Sequence, residues 1–189
     1  MNNQYIQKFK DAINNSKKHD LDIPESAMNG LCEKILTDDI ATDVANAFSQ
    51  AFKGWSNDDF VGQCLKSHII FQPYIEKLIG RPVTFTVGFI EGDTQNYFEF
   101  SEDDVRKWIS DGIHQEDTRL HSWLTLPSGE ILDLAFMPTF AKINKMDIPR
   151  GSMIADYSCN LNGMEYIPMY LGLGFLKKIG ALKVELIYE

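Results

Sequence analysis

Cysteine is scarce in this 189-residue chain, with Cys32, Cys64 and Cys159 an odd set at wide spacing. Such a set is a poor disulfide framework and matches no zinc-ligand pattern, so free thiols are expected and no metal. No run of about 18 apolar residues occurs, which excludes a membrane-spanning helix. The opening MNNQYIQKFKDAINNSKKH lacks the apolar stretch of a secretory signal. Basic residues are also short, 18 Lys and Arg against 27 Asp and Glu, for a net charge of -9. They cluster on no one stretch, which argues against a nucleic-acid partner. A Gly-rich phosphate loop is missing too, and no cofactor is expected. The expectation is a soluble, cytoplasmic protein with neither a nucleic-acid nor a membrane partner.

What is present fits a single domain spanning 1–189, at 44% apolar and 24% charged composition. The acidity is uneven. From Glu91 to Arg119 there are nine acids against three bases, which reads as a solvated insert or exposed helix, or as a rim that favours basic substrates or partners.

Apolar spacing predicts a first helix through Tyr5, Ile6, Phe9 and Ile13, and a second from Pro24 through Leu36. A third is capped by Thr37 or Asp38, carries Ile40, Val44, Ala47, Phe48 and Phe52 as one stripe, and ends at Gly54. Residues 1–60 thus read as a helical lobe, and 61–189 as a nucleophile helix plus sheet. That helix opens at or near Cys64 and stops at Gly80, with Pro73 expected to kink or divide it. PVTFTVGFIE reads as a strand, and Ser101 with Asp104 as a capping-box start to a helix reaching Ser110. From residue 118 the period changes to two: TRLHSWLTL, a PSG turn and EILDLAF form a hairpin. SMIADYSCN, MEYIPMY and ALKVELIYE read as later strands, with a short helix between Leu171 and Ile179, and MPTFAKINKMDIPRG as a loop that could border a site. Helices followed by a mostly antiparallel sheet make the fold class α+β. Trp123, Phe136, Phe140 and Tyr170 are assigned to the sheet core.

A thiol reacts as its thiolate, and a helix N-terminus supplies unpaired N–H groups and a positive dipole end that favour it. Cys64 has that setting; Cys32, inside a helical pattern, and Cys159, after a strand, do not. The alternative reading of Cys64 is a small buried hydrophobe. A nucleophilic cysteine needs a base and a group to orient that base. His121 lies in the alternating L-H-S-W-L, where a core histidine requires a partner. A turn centred near Ser128 and Gly129 sets residue 135 opposite His121, leaving Asp133 two places away on the diagonal of the same face, within reach of the imidazole.

These residues carry a resemblance. GQCLKSHIIFQPYIEKLIGRPVTFTVGFI is similar to the nucleophile helix and following strand of transglutaminase-like and arylamine N-acetyltransferase-like proteins. His121-Ser122-Trp123-Leu124, then Gly129 and Asp133, resembles their His-x-Trp, turn, Asp pattern in the same chain order. The similarity covers residues 62–134 and departs at Leu65, where an aromatic is usual, and at Leu134, where proline is common. It implies a papain-like or transglutaminase-like fold and a Cys64, His121, Asp133 triad forming a thioester intermediate. Substrates implied are a peptide, a protein or a small amide. Hydrolase is preferred over acyltransferase. The Cys64 backbone N–H would serve as one oxyanion donor, with Gln63, Asn57 or Trp55 as side-chain candidates for a second.

Other readings compete. A binding or interaction module could keep the scaffold without turnover. His68, four residues after Cys64 on the same helix face, could form a Cys-His pair or join Cys64 and His121 around zinc, although helix geometry aims neither side chain at the other. His19 and His114 read as surface residues.

Overall fold

The fold is taken from a computed structural model, which describes residues 3–28, 33–113 and 119–182. Among these are seven α-helices and a six-stranded sheet in which every pairing is antiparallel. The mixed α+β class read from the sequence holds. None of the described helices is long and apolar enough to cross a membrane.

Helix α1 (Asn3–Lys18) and helix α3 (Asp38–Ala51) form as their stripes predict, and Thr37 caps α3 by accepting from the Ile40 N–H. Between them the expected helix from Pro24 to Leu36 is found as α2 (Glu25–Met28) and is not helical at 33–36; residues 29–32, with Cys32, lie outside the described set. The cause is a distant side chain. Glu130 is fully buried, and its carboxyl oxygens accept from the Ile35 N–H at 2.7 Å, the Leu36 N–H at 3.1 Å and the Ser128 hydroxyl at 2.5 Å. Backbone amides that would have closed a helical turn are spent on that group instead.

Helix α4 (Cys64–Ile79) ends at Gly80, whose φ of 66° is left-handed and suits glycine. It is not divided at Pro73. Pro73 is exposed, so the carbonyl it leaves without an amide partner can be hydrated. Strand β1 (Thr84–Gly92) is the hub of the sheet. It pairs along 84–88 with β3 (His121–Thr125), along 90–91 with β2 (Asn96–Tyr97), and on its other side with β6 (Met164–Leu171). Strand β4 (Ile131–Asp133) joins β3 to β5 (Ile154–Asp156). Helix α5 (Glu102–Asp111) has the Ser101–Asp104 capping box, and α7 is Gly174–Lys178. Of the tract read as a loop, 137–144 lies instead in α6 (Phe136–Asn144), since Pro138 sits in its first turn, where proline is tolerated, and 145–151 is irregular as expected. The expected last strand at ALKVELIYE falls mostly on residues 183–189, outside the described set.

The two faces of the sheet bury separate cores. Phe85, Val87, Leu124 and Leu132 pack with Phe48, Phe71 and Ile75, whereas Ile90, Trp123 and Ile131 pack with Tyr5, Phe136 and Tyr166. Alternation places His121, Trp123 and Thr125 on this second face, with Ile131 and Asp133 beside them. The ladder between β1 and β6 slips between Val87, opposite Tyr170, and Gly88, opposite Pro168. Met169 is the extra residue, so Tyr166 and Tyr170 are buried on opposite faces despite their even spacing. Gly88 is required there, because a Cβ would lie 2.0 Å from the Ile167 carbonyl oxygen. Under the second face Trp123 Nε1 donates to the Tyr5 hydroxyl at 2.9 Å; that hydroxyl lies 2.7 Å from the Thr125 hydroxyl, itself 2.8 Å from that of Thr86.

Glu130→Ala leaves the Leu36 amide and the Ser128 hydroxyl buried, and the Ile35 amide partly buried, without their acceptor. Denaturant unfolding is expected to show a loss of about 3 to 5 kcal/mol, and Glu130→Gln, which keeps an acceptor oxygen, a smaller one.

Candidate active site

Asp133 terminates β4 and is fully buried. Its Oδ2 accepts from His121 Nε2 at 2.5 Å and from the Tyr166 hydroxyl at 2.7 Å. Its Oδ1 accepts from the Ala135 N–H at 2.9 Å and the Phe136 N–H at 3.0 Å, where α6 begins. The hairpin explains the meeting with His121. Leu124 pairs with Leu132 and Thr125 with Ile131, which is the register expected from the turn, and the diagonal brings the ring and the carboxylate into contact.

With Nε2 taken by Asp133, Nδ1 is the ring nitrogen left for Cys64, whose side chain is near enough to help raise the imidazole. Cys64 opens α4 and is only 8% exposed, and its Sγ lies 3.9 Å from the Leu120 carbonyl oxygen. Cys64 and His121 share a cleft of about 790 Å³ with Gln63, Leu65, Lys66 and Phe98 among its lining. A second apolar hollow lies between α1 and the hairpin, away from these groups. The three residues singled out from the sequence are therefore brought together.

Burial alone pushes the His121 imidazole down. The Asp133 carboxylate and the Cys64 side chain outweigh it and raise the ring to about 10. Asp133 shows the converse balance: burial works to raise it, and the charge and hydrogen bond of His121, then His68 and Tyr166, hold it below the ordinary carboxylate range. Burial and then Asp133 push the Tyr166 phenol well above its ordinary value.

His68 is fully buried and has a different task from the rival roles considered for it. Its Nδ1 lies 2.7 Å from the Cys64 carbonyl oxygen, and its Nε2 lies 2.9 Å from the Leu134 N–H. A carbonyl only accepts and an amide only donates, so the ring must carry its proton on Nδ1 and be neutral. Burial, against the pull of Asp133, depresses it to about 4. Both nitrogens are engaged, so no lone pair is left for the zinc site built from Cys64, His68 and His121. Instead His68 ties the first turn of α4 to the end of β4.

The oxyanion candidates separate. Gln63 lines the cleft. Asn57 is a correction: its amide donates to the Ile148 and Pro149 carbonyls at 3.0 and 3.3 Å and accepts from the Gly151 N–H at 3.3 Å, so it fastens a loop. Trp55 is another, its ring packed against Phe52 and Phe60 with Lys66 Nζ 5.2 Å above it, lining a neighbouring hollow.

His19 is half-buried and lies 3.7 Å from Glu102, so it is not a free surface residue; His114 is outside the described set. Of the described residues of the acidic segment, Phe98 and Ile113 line the cleft, and neither is charged. The aromatic residues assigned to the sheet core are found there, with Phe140 partly buried at its edge.

No family model, curated protein or solved structure matches the chain. Tyr166, Phe98 and Thr139, which lines the cleft and accepts from the Gly62 N–H at 3.4 Å, are the contributors that sequence reasoning missed. Tyr166 sits in a strand that reads only as alternating, and the bulge that turns it toward Asp133 has no sequence marker.

The two histidines set opposite pH limbs for stability. His121 is raised in the folded state, so its contribution is full below its unfolded value near 6.5 and is lost as pH rises through about 10. His68 is depressed, so its contribution is full above about 6.5 and is lost as pH falls through about 4, with Asp133 adding to the acid limb. Unfolding midpoints taken between about pH 4 and pH 10 are expected to peak near neutrality. Asp133→Asn should flatten the alkaline limb.

Proposed function

We propose that the chain is a thiol-nucleophile acyl-transfer enzyme of the papain-like and transglutaminase-like kind, with Cys64, His121 and Asp133 as its catalytic triad. The observation that carries this reading is one imidazole held by a buried carboxylate through Nε2, with its other nitrogen left for a thiol at the head of a helix, where a cleft opens. Sγ attacks the carbonyl of an amide or thioester as the thiolate, its proton held on His121 Nδ1. The carbonyl π electrons move to oxygen, giving a tetrahedral oxyanion. The Cys64 amide, in the first helical turn and without an intrahelical acceptor, is the natural donor to that oxygen, and Gln63 is the second candidate.

Collapse expels the amine or thiol, which takes the proton from His121, and leaves an acyl thioester on Cys64. Water then attacks with His121 as base, regenerating the thiol and releasing the acid. An amine in place of water would make the same site an acyltransferase, and hydrolysis is preferred because no coenzyme-binding loop is found in the sequence. Asp133 keeps Nδ1 turned to sulfur and stabilises the imidazolium. Acceptable substrates are peptides, proteins or small amides that fit the cleft.

The test is sharpened by burial. Cys159 is exposed and Cys64 is not, so accessibility alone predicts faster alkylation of Cys159. With iodoacetamide at about pH 6, Cys64 is expected to label fastest nonetheless, ahead of Cys32 and Cys159. His121→Ala should slow that step by about 10²-fold or more. Activated ester and thioester substrates should leave an acyl adduct on Cys64 visible by intact mass. Labelling that follows exposure, with no adduct from any substrate, would indicate a binding module and end the enzymatic reading.

A further inference from the structure

Phe98 stands in a backbone conformation that a bulky side chain seldom adopts. Its φ is 63°, in the left-handed region, where an aromatic residue is a real outlier. Strain of this kind persists when the surroundings determine it and gathers at functional sites. What it achieves here is visible in the ring contacts. The phenyl ring of Phe98 stacks on the imidazole of His121, with centroids 4.9 Å apart and planes within 16°.

The chain path explains how Phe98 reaches that place. Strand β3 pairs with β1 only as far as Gly88 opposite His121, and β2 takes up the same edge of β1 from Ile90 opposite Tyr97. Phe98 follows Tyr97 directly, at the junction where β3 ends on His121. Tyr97 is anchored edge-on against Phe136 and Phe140, at 5.4 and 5.8 Å. A residue there with ordinary backbone angles would continue the strand; the left-handed turn alters its course at the point where the ring meets the imidazole.

Three aromatic rings surround the imidazole: Phe98, Trp123 at 6.1 Å and Phe136 at 6.0 Å. Trp123 and Phe136 are buried in the core beneath the sheet. Phe98 alone of the three lines the cleft, and it is half-buried there. It therefore covers the side of the ring from which water and substrate arrive.

We infer that Phe98 is a positioning residue for His121, its strained backbone holding a flat ring that seals the cleft side of the imidazole and keeps that imidazole aligned between Asp133 and Cys64. The inference rests on the thiol-nucleophile reading above. The titratable groups around the imidazole are Cys64 and His68 from α4, Asp133 from β4 and, through Asp133, Tyr166 from β6. None of them is altered by changing Phe98, so a change in how His121 titrates reports on the seal.

The experiment follows the His121 ring nitrogens by NMR across pH in the full chain, beside iodoacetamide labelling of Cys64. In Phe98→Ala and Phe98→Gly, water should screen the ring from Asp133. The His121 midpoint is then expected to fall toward the solution value and Cys64 labelling at about pH 6 to drop about tenfold. Phe98→Trp should restore both, whereas Phe98→Leu, which fills space without a flat face, should not. The Gly variant should also unfold at a higher temperature than the Ala variant, since glycine accepts a φ of 63° without cost, while the two share one His121 titration curve. Unchanged titration in the Ala variant, or full rescue by Leu, would overturn the role given to Phe98. If Cys64 in the unaltered protein labels no faster than Cys159, the enzymatic reading fails, and the NMR curves still decide whether Phe98 holds the ring.

Discussion

A single buried carboxylate organises this molecule. Asp133 receives an imidazole, a phenol and two backbone amides, so its four acceptor directions are filled by groups from β3, from β6 and from the head of α6. A charge this far from water is tolerable only when it is fully paired. Each donor is thus fixed by the carboxylate's need as much as by its own. Strands β3, β4 and β6 and the helix that follows β4 are bound into one arrangement at that point. His68 adds a neutral link from the neighbouring Leu134 amide to the Cys64 carbonyl, bringing α4 into the same assembly.

The two histidines illustrate how placement decides chemistry. Both rings are buried within the influence of Asp133, yet one is driven to bind a proton and the other to refuse it. The difference is the partner at each nitrogen. His121 offers a nitrogen directly to the carboxylate, whereas His68 faces a carbonyl and an amide, which dictate a neutral tautomer. Desolvation acts on both, and only the ring with a close anion overcomes it.

Much of the site is legible in the sequence. The alternation in L-H-S-W-L, the PSG turn and the position of Asp133 specify a face and a diagonal, and the hairpin obeys them because Leu124 and Leu132 must both point into the core. Cys64 was legible as a helix start because the pattern behind it runs cleanly to Gly80. The segment before Leu36 was not, since its apolar spacing is that of a helix and the deciding interaction comes from Glu130, 95 positions from Ile35 in the chain. Likewise α6 hid behind Pro138, a residue that ends helices in most places but not in their first turn. Tyr166 was missed and His68 misjudged for a shared reason: their roles rest on a bulge and on backbone groups, neither of which leaves a trace in residue type.

The hydroxyl chain beneath β3 has a consequence for how the protein comes into being. Trp123 leans on Tyr5 across 118 positions of sequence, and Ser16 accepts from the Leu171 amide across 155. Contacts that close such long loops form late. A nascent chain that has already presented Cys64, His121 and Asp133 to solvent still lacks the strand that orders α1 and supplies the phenol to Asp133. Asp133 therefore lacks one of its four donors throughout most of synthesis, and its surroundings are complete only once β6 has docked.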